Sequence, residues 1–577
     1  MVNGIPVSNG VGLAKALIIT KKALDFSKEV IESKNVPMEL ERLGQAITLS
    51  HKQLETLYKS AKQRLGSEAE IIQAQMAMLN DPVMVEEIKN NIANRFLNAE
   101  YSVELAFDEQ ISILAAIDDD YIRERAADLS DIKIRLLHTL TGNPIEMCID
   151  EESILVCDIL TPTQTANLSP KYVKGIICES GGATSHAAIL ARSLGIPAIV
   201  GCKGCTDIFV KDDIVFVNGS KGEAFVVTEE SEKERLRKDI ESAIVAKAEL
   251  LAMKDAPGIT KDGKTIALYT NMGTLDEVKL LEQYGSDGIG LFRTEFLYME
   301  GKSAPSEQAQ FTIYKKIVEE LDGKNVVFRT LDIGGDKDVP YLKIPKEDNP
   351  FLGWRAIRIC LEEKQLFKTQ LRALLRASAF GSLKIMVPMI SSIMELREAR
   401  EIFENVKAEL RQESITFDEQ TKFGIMVEIP SAALCADFLI KEADFFSIGT
   451  NDLTQYTLAV DRGNEKVSSY YDFFNPAVLR LVKMTIEASH KANKTTSMCG
   501  EAAGDPVATM LLLGLGLDSF SISPSILPKI KKIISHIDIK FAEDVACIAM
   551  TMETGDEINQ FLMSKLEDIG LGYLVLL

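Results

Sequence analysis

The C-terminal part of the chain, from about Pro257, alternates short apolar runs with helical stretches. Eight such runs occur, at residues 266–269, 288–291, 326–328, 383–387, 423–427, 445–448, 496–498 and 520–522. Short apolar runs that are separated by helical patterns are typical of buried parallel strands. Eight strand–helix units over roughly 320 residues match the size of a (β/α)8 barrel. We therefore predict a TIM barrel over residues 255–577.

The N-terminal part of the chain changes its pattern twice. A strand-like run at 16–19 gives way to apolar residues at spacings of three, four and seven, which indicate helices as far as Gly142. Short apolar runs then return at 154–156, 175–177, 198–200 and 214–217. We predict that residues 1–21 and 144–227 form one α/β domain, and that residues 22–143 form a helical domain inserted into it.

A connecting helix is predicted between these domains and the barrel. Ser231 and Glu234 match the capping box that opens a helix, so residues 228–254 are expected to form a linker helix. The predicted fold is therefore a multidomain α/β protein, with an inserted helical domain and a C-terminal TIM barrel.

Charged side chains directly follow several of the predicted barrel strands. Arg293 and Arg329 end the second and third strands. The C-terminal ends of barrel strands meet at one face, where active sites lie. Guanidinium groups there can bind a multiply charged oxyanion in a bidentate manner, and Arg355 adds to the same positive field. Alternatively, these arginines pair with nearby acids, of which Glu295 and Asp332 are available.

Two carboxylates end the fifth and sixth predicted strands, Glu428 and Asp452. Carboxylates at adjacent strand ends can bind one Mg²⁺, with water and substrate oxygens at its remaining positions. A general acid–base pair and a salt-bridged rim are the alternatives. Asn451, beside Asp452, indicates amide contacts to the same ligand, and Arg462 on the next loop could reach an anion.

The seventh predicted strand is followed by a cysteine, Cys499. A thiol at a barrel mouth serves as a proton donor or a nucleophile when its pKa is tuned. The alternative is a small buried hydrophobe, which describes most free cysteines. Lys337, in a glycine-rich segment, is a further candidate for neutralising phosphate, with a solvated loop as the alternative.

A histidine stands at a glycine-rich turn before a helical pattern, in the segment Gly-Gly-Ala-Thr-Ser-His at 181–186. The N-terminus of a helix offers free backbone N–H groups and a partial positive charge, which suit a phosphate. His186 could therefore carry a phosphoryl group on a ring nitrogen. The alternative is a polar helix start in which His186 satisfies a local hydrogen bond.

The chain carries a formal net charge of −21. This charge disfavours nucleic acid and anionic membranes as partners and favours a basic protein. No apolar run is long enough to span a bilayer, and no signal-peptide pattern opens the sequence, so we expect a cytoplasmic protein without direct membrane insertion. Cys202 and Cys205 form a C-x-x-C pair, but no second pair follows to complete a zinc site.

Together these motifs resemble the Enzyme I family of the bacterial phosphotransferase system, the phosphoenolpyruvate–protein phosphotransferases. The resemblance extends over essentially the whole chain. It rests on the histidine motif at 181–192 and on the barrel segments 287–295, 329–337, 349–355, 426–428, 449–455 and 498–501. The N-terminal segment 4–15 and the helical region match more loosely.

The resemblance implies a role for each candidate residue. His186 is implied to be the phosphorylated residue, and Cys499 is implied to protonate the enolate as pyruvate forms. The implied substrate site for phosphoenolpyruvate contains Arg293, Arg329, Asn451 and Arg462, and the predicted site is completed by Arg355 and Asp452. Glu428 and Asp452 are implied to bind Mg²⁺.

The resemblance also implies two protein partners. The phosphocarrier protein HPr is the implied acceptor, docked on the helical domain, and the barrel domain is implied to form a homodimer. An acidic face on the helical domain is either the docking surface for HPr or a solvated helix surface. The residues of this face are Glu68, Glu70, Asp81, Glu86 and Glu87.

Other members of the wider class fit less well. Pyruvate phosphate dikinase and phosphoenolpyruvate synthase share the histidine domain and barrel, but they also carry a large ATP-binding domain, for which this sequence has no span. The remaining alternatives are a nitrogen-regulatory paralogue, which usually has an extra sensory domain, and a non-catalytic signalling scaffold. A scaffold has no need of intact His186, Glu428, Asp452 and Cys499.

Overall fold

The computed structural model divides the chain into two compact units, Met1–Ile244 and Val245–Val575. The boundary between the units falls inside a helix at Glu230–Ala252. The structure describes residues 1–19, 26–28, 30–65, 70–115, 120–142, 149–160, 168–182, 186–299, 303–335, 339–342, 345, 347–464 and 466–575.

The first unit contains an eight-stranded sheet with the order β1-β8-β7-β3-β4-β5-β6-β2. The central strands β3, β4, β5 and β6 are parallel, and the flanking strands are antiparallel. The strands are β1 (Val2–Asn3), β2 (Ile5–Ser8), β3 (Val11–Ile19), β4 (Ser153–Cys157), β5 (Val173–Cys178), β6 (Ala198–Val200), β7 (Ile214–Asn218) and β8 (Glu223–Val226). The apolar runs predicted five of these strands, and β1, β2 and β8 were missed.

In the part of the chain that the structure describes, five α-helices follow one another between β3 and β4. They are α1 (Val36–Leu65), α2 (Glu70–Leu79), α3 (Pro82–Arg95), α4 (Ala99–Ala115) and α5 (Asp120–Thr141). Their apolar faces share a core that includes Leu43, Ile92 and Phe107, each at most 1% exposed. Because β3 pairs with β4 in parallel, the chain leaves the sheet through these helices and returns beside its point of departure.

The described residues of the first unit form two more helices, and a third helix crosses the boundary of the unit. They are α6 (His186–Leu194), α7 (Cys205–Ile208) and α8 (Glu230–Ala252). The predicted capping box at the start of α8 is wrong, because Ser231 lies inside the helix. The backbone N–H of Lys233 already donates to the carbonyl of Glu229, so the first turn begins before Ser231.

The second unit is a closed barrel of eight parallel strands, β9 to β16, as predicted. The strands are β9 (Ala267–Met272), β10 (Gly288–Arg293), β11 (Asn325–Arg329), β12 (Leu383–Val387), β13 (Lys422–Val427), β14 (Phe446–Ile448), β15 (Thr496–Met498) and β16 (Ser519–Ile522). Each strand overlaps one of the eight predicted runs. Together the two units give a multidomain α/β protein with a C-terminal TIM barrel.

Helices connect the barrel strands and continue beyond the last one. They are α9 (Leu280–Tyr284), α10 (Phe296–Met299), α11 (Glu307–Glu320), α12 (Ile357–Glu362), α13 (Lys364–Ser378), α14 (Ile393–Gln412), α15 (Pro430–Leu434), α16 (Ala436–Glu442), α17 (Thr450–Leu458), α18 (Pro476–Lys491), α19 (Ala508–Gly514), α20 (Leu527–Ile534), α21 (Ile539–Ala549) and α22 (Gly555–Asp568). Ser392 and Glu395 form a capping box that fixes the start of α14. Among the described helices, none is long and apolar enough to cross a membrane.

Apolar side chains fill the barrel interior below its mouth. Leu291, Val327, Met386, Met426, Phe445 and Cys499 form one buried cluster. Gly424 makes room for the largest of them, because a Cβ at this position would lie 2.5 Å from the ring of Phe445. The interior is therefore a packed core, and ligands are confined to the C-terminal ends of the strands.

Candidate active site

A cavity of about 280 Å³ opens at the C-terminal ends of the barrel strands. Its walls come from the ends of β10, β11, β13 and β15 and from the loops and helices that follow. The lining residues are Leu291, Arg293, Arg329, Asp332, Phe351, Arg355, Met426, Glu428, Gly449, Asn451, Asp452, Arg462, Cys499, Gly500 and Glu501. All eight site residues predicted in the barrel are among them.

Two of the arginines are buried among carboxylates. Arg329 forms ion pairs with Glu295 and with Asp332, the latter at 2.9 Å. Arg355 lies 3.0 Å from Asp332 and 3.6 Å from Asp452. Both arginines are less than 10% exposed, and the Nε atom of each lacks a hydrogen-bond partner among the described residues. The acids therefore fix the two guanidinium groups, while their Nε–H groups keep the capacity to donate.

The other two arginines of the cavity are solvent-exposed. In the part of the chain that the structure describes, no carboxylate lies within ion-pair distance of Arg293 or Arg462. The sequence left open whether Arg293 and Arg329 pair with acids or face a ligand. Arg329 pairs with acids and also lines the cavity, whereas Arg293 is free to pair with an anionic ligand.

The carboxylate of Glu428 lies at the centre of the buried charges and is 1% exposed. Its Oε1 accepts a hydrogen bond of 2.6 Å from the backbone N–H of Met389, a residue with a positive φ of 60°. Burial, followed by repulsion from Asp452 and Asp332, raises the pKa of Glu428 to about 8. A positive φ in a non-glycine residue costs free energy, so the surrounding structure stabilises this arrangement.

The residues of the cavity fit a divalent cation. Asp452 is buried, and its Oδ1 lacks a hydrogen-bond partner among the described residues. The buried arginines Arg329 and Arg355 face four buried carboxyl groups, so this cluster has two uncompensated negative charges when all four are ionised. No group of three metal-ligating side chains occurs in the described residues. Mg²⁺ typically keeps several waters and takes only one or two carboxylates, and Glu428 and Asp452 can supply these.

Without metal, the free energy of unfolding of the barrel unit is expected to fall as the pH rises from about 4.5 to about 8. The folded state keeps Glu428 protonated up to about pH 8, whereas the unfolded chain loses this proton near pH 4.5, so stability is lost as the pH rises through this window. Mg²⁺ requires ionised carboxylates and should therefore stabilise more at pH 8 than at pH 6. Thermal unfolding across this range, with EDTA or with Mg²⁺, measures both effects.

Glu428→Gln is the control for this titration, because glutamine has the size of glutamate and does not ionise. The variant should lose the part of the pH dependence that belongs to Glu428, and it should respond less to Mg²⁺. Identical pH profiles for the wild type and the variant in EDTA would contradict the raised pKa.

Cys499 lies at the end of β15 and is 4% exposed. Its carbonyl accepts a hydrogen bond of 3.0 Å from Asn271, and its Sγ lies 3.7 Å from the carbonyl oxygen of Ile448. Burial raises the pKa of the Cys499 thiol to about 11, so it is protonated at neutral pH. A protonated thiol that lines the cavity suits proton donation better than nucleophilic attack.

Two residues that fix predicted site residues in place, Glu501 in the cavity wall and Tyr456 beside it, were not assigned a role from the sequence. Glu501 accepts a 3.0 Å hydrogen bond from the Asn451 amide and donates its own backbone N–H to the Asn451 Oδ1 at 2.8 Å. Tyr456 accepts a 3.1 Å hydrogen bond from Arg355 and donates to the carbonyl of Phe351. The available signal for Tyr456 was its place one helical turn after Asp452 on α17.

Arg358 is not among the residues that line the cavity. The guanidinium of Arg358, which follows Arg355 in the chain, donates to the carbonyls of Leu352 and Gly353 at 2.9 and 2.8 Å. It therefore stabilises a loop instead of lining the cavity. Lys337 lies outside the described residues.

In the first unit, α6 begins at His186, as the sequence predicted. Gly181 upstream has a φ of 116°, which favours glycine. Thr184 and Ser185 lie outside the described residues, as does the side chain of His186. The position of His186 at a helix N-terminus is confirmed, and its role stays a prediction.

The remaining predictions in the first unit concern cysteines and acids. Cys202 and Cys205 are buried, and burial raises the pKa of each thiol to about 12. The two cysteines therefore behave as small residues of the core.

On the acidic face, Asp81 accepts from two backbone N–H groups and caps α3, while Glu86 is exposed. Glu87 is half-buried. Glu68 and the side chain of Glu70 lie outside the described residues.

Comparisons with known protein families define the class. Residues 247–539 match the family of the phosphoenolpyruvate-binding domain of phosphoenolpyruvate-utilising enzymes. Residues 3–125 match the N-terminal domain of these enzymes, and residues 149–222 match their mobile domain. The barrel is thus that of a phosphoenolpyruvate-utilising enzyme.

Relatives of known function specify the family. A phosphoenolpyruvate–protein phosphotransferase of Listeria innocua is 45% identical over 97% of this chain and 98% of its own length. The same enzyme of Haemophilus influenzae is 44% identical over the same shares. A solved structure described as an NMR structure of Enzyme I is 31% identical and covers 42% of this chain and 99% of its own, with a TM-score of 0.36. The chain belongs to the phosphoenolpyruvate–protein phosphotransferase family.

Proposed function

We propose that this enzyme transfers the phosphoryl group of phosphoenolpyruvate to its own His186 and then to a histidine of HPr, releasing pyruvate. The observation that carries the proposal is the barrel cavity, which combines exposed arginines, a buried carboxylate pair and a protonated thiol. No histidine occurs among the described residues that line the cavity, so the acceptor of the phosphoryl group must come from elsewhere in the chain. His186, at the start of α6, supplies that acceptor.

The arginines of the cavity match the charges of the substrate. Phosphoenolpyruvate has a phosphate and a carboxylate, which together require several cationic contacts. Arg293 and Arg462 are exposed and unpaired among the described residues, so they can pair with these anions without breaking an existing ion pair. Arg329 and Arg355 are already fixed by acids. Their Nε–H groups lack partners among the described residues and can therefore donate hydrogen bonds to the substrate. This preorganisation lowers the reorganisation needed in the transition state.

Glu428 and Asp452 are proposed to bind Mg²⁺ together with substrate oxygens and water. The bound ion would supply charge neutralisation at the transferring phosphoryl group. The hydrogen bond from Met389 to Glu428 orients the carboxylate for this role. The side-chain amide of Asn451 also lines the cavity, and its hydrogen bonds with Glu501 fix its orientation.

Cys499 is proposed to donate the proton that completes pyruvate. The phosphorus–oxygen bond of phosphoenolpyruvate breaks as a phosphorus–nitrogen bond forms at His186, which leaves the enolate of pyruvate. The thiol then transfers its proton to the methylene carbon, and the remaining thiolate regains a proton from solvent. Protonation at carbon makes the overall donation strongly favourable, because the ketone is more stable than the enol.

The domain assignments and partners extend the same proposal. In this proposal, His186 belongs to an α/β domain of residues 1–21 and 144–227, and HPr docks on the helical domain of residues 22–143. A linker helix of residues 228–254 joins these domains to the barrel. The barrel, residues 255–577, binds the substrate and forms a homodimer. Membership of the family supports this division, and the net charge of −21 supports a basic protein partner. A cytoplasmic location belongs to the same proposal.

The proposal is tested by labelling the protein from phosphoenolpyruvate. With Mg²⁺, the wild type should gain about one phosphate per chain, stable in base and labile in acid. Removal of phosphoenolpyruvate followed by addition of HPr should move the label to HPr. The proposed reaction would be contradicted if the label did not move to HPr. It would also be contradicted if labelling from phosphoenolpyruvate required ATP.

Cys499→Ala is expected to lower the rate of pyruvate formation by roughly 10²–10⁴-fold, the usual contribution of a positioned general acid. Substrate binding, measured by calorimetry, should change little, because the ionic contacts of the arginines remain. Cys435→Ala is the matched control, since Cys435 is an exposed cysteine of the same barrel. Pyruvate formation at the wild-type rate in Cys499→Ala would remove Cys499 from the mechanism.

A further inference from the structure

Gln370 is a polar residue buried between helix α13 and the barrel. It is 0% exposed, and its neighbours along the buried face of α13 include Phe367, Leu371 and Leu374. A buried amide costs free energy unless its hydrogen bonds are made inside the protein. The partners of Gln370 therefore show which groups this amide orders.

The amide of Gln370 joins three elements of the barrel unit. Its Oε1 accepts a hydrogen bond of 2.9 Å from the backbone N–H of Leu331. Its Nε2 donates to the hydroxyl of Thr294 at 3.0 Å and to the hydroxyl of Tyr314 at 3.2 Å. Thr294 directly follows β10, Leu331 follows β11, and Tyr314 belongs to α11.

Two of these partners adjoin the arginines of the cavity. Thr294 is the next residue after Arg293, and Leu331 lies two residues after Arg329. The hydroxyl of Thr294 also donates to the carbonyl of Arg329 at 2.9 Å. Gln370 thus connects the two strand ends that carry Arg293 and Arg329, although it does not itself line the cavity.

The donors and acceptors around Gln370 are fully engaged. The hydroxyls of Tyr314 and Tyr298 both donate to Oε1 of Gln310, each at 3.1 Å, and Nε2 of Gln310 donates to the carbonyl of Pro305 at 3.0 Å. Since Tyr314 already donates to Gln310, it can only accept from Gln370. The direction of each bond is therefore determined, and Gln370 must present an amide N–H to Thr294 and Tyr314.

We propose that Gln370 is a positioning residue that sets the spacing between the guanidinium groups of Arg293 and Arg329. This inference rests on the proposed function, in which both arginines bind phosphoenolpyruvate. A strand end without this connection can shift by a fraction of an ångström. Such displacement of groups that contact the reacting phosphate lowers the rate steeply.

The test compares Gln370→Met with Gln310→Met. Methionine has nearly the volume of glutamine and forms none of its hydrogen bonds. Gln310 is equally buried, but it contacts Tyr298, Tyr314 and Pro305 and neither strand end. Both variants should lose stability to a similar extent, as measured by thermal unfolding. Only Gln370→Met should lower kcat/KM for labelling from phosphoenolpyruvate, by roughly 10–100-fold.

Gln370→Glu adds a second readout that a purely structural role would not produce. A protonated carboxyl can accept from Leu331 and donate to Thr294, as the amide does, whereas a carboxylate cannot donate. The activity of Gln370→Glu relative to the wild type should therefore be highest near pH 6 and should fall towards pH 9. If Gln370→Met does not fold, the pH dependence of Gln370→Glu tests the positioning role on its own.

Transfer from phosphorylated HPr back to His186 does not use the barrel cavity, so it should be unchanged in all three variants. Wild-type kcat/KM in folded Gln370→Met, or equal losses in Gln370→Met and Gln310→Met, would overturn the positioning role. If the wild type takes no phosphate from phosphoenolpyruvate, the proposed function fails instead. The Kd of phosphoenolpyruvate, measured for the same variants, then still tests whether Gln370 positions the arginines.

Discussion

His186→Ala is expected to take up no phosphate from phosphoenolpyruvate and to pass none to HPr. The described residues that line the barrel cavity include a thiol and the groups proposed to bind the donor, but no histidine, so under the proposed function loss of His186 leaves the phosphoryl group without an acceptor. The rate of HPr phosphorylation should fall to the uncatalysed background. Phosphate incorporation, quenched in base because phosphohistidine is acid-labile, measures the effect.

His490→Ala is the matched control for this variant. His490 is a barrel histidine whose ring lies 3.0 Å from Asp518, away from the residues that line the cavity. The His490→Ala variant should be labelled as fully as the wild type. Equal labelling of His186→Ala and His490→Ala would show that the carrier is another residue.

Glu428→Gln is expected to lower labelling from phosphoenolpyruvate by at least about 10³-fold, while back-transfer from phosphorylated HPr is retained. Glutamine keeps the volume of the buried side chain and an oxygen for the N–H of Met389, so the site should stay folded. The variant loses the negative charge that the proposed Mg²⁺ site requires. Loss of metal-based charge stabilisation is worth several kcal/mol, and each 1.36 kcal/mol is tenfold in rate.

The two half-reactions make Glu428→Gln a specific test. In the proposed reaction, back-transfer uses His186 of the first unit and the partner protein HPr, and it does not use Glu428. Only phosphoryl transfer from phosphoenolpyruvate, which uses the barrel, should therefore fail. Glu401→Gln, on the exposed face of helix α14, provides the matched control and should behave as the wild type. Equal loss of both half-reactions would indicate general misfolding, and full labelling from phosphoenolpyruvate would contradict the metal-binding role.

The barrel was predictable from the sequence because parallel strands are buried on both faces. Such strands are nearly continuous apolar runs, so β9 to β16 could be recognised without an alternating pattern. The short strands β1, β2 and β8 lack this signal. β1 has two residues and β2 contains a proline, so their place in the sheet depends on pairing with distant strands.

The candidate site was predictable where its residues directly follow strands, as Arg293, Glu428 and Cys499 do. Their convergence follows from the geometry of a barrel. The pairing of Arg329 with both Glu295 and Asp332, and the absence of such pairing at Arg293 among the described residues, depends on side-chain packing that spacing cannot specify. The sequence indicated Glu295 and Asp332 as available partners, but it offered no signal for which of the two arginines pairs with them.

Gln370 shows the limit of sequence reasoning most clearly. It lies in the middle of α13, far in sequence from Thr294 and Leu331. The spacing of Phe367 and Leu374 places position 370 on the apolar face of the helix, but it does not indicate which groups the amide contacts. Its importance arises from hydrogen bonds to two strand ends, which exist only in the folded barrel.

Mapping the phosphorylated residue of the wild type tests the central claim most directly. The protein would be loaded with phosphoenolpyruvate and Mg²⁺, digested with trypsin under mildly alkaline conditions and fragmented by electron transfer. The account predicts phosphate on the peptide of residues 175–192, whose one histidine is His186. Phosphate on any other peptide, with none on residues 175–192, would contradict it.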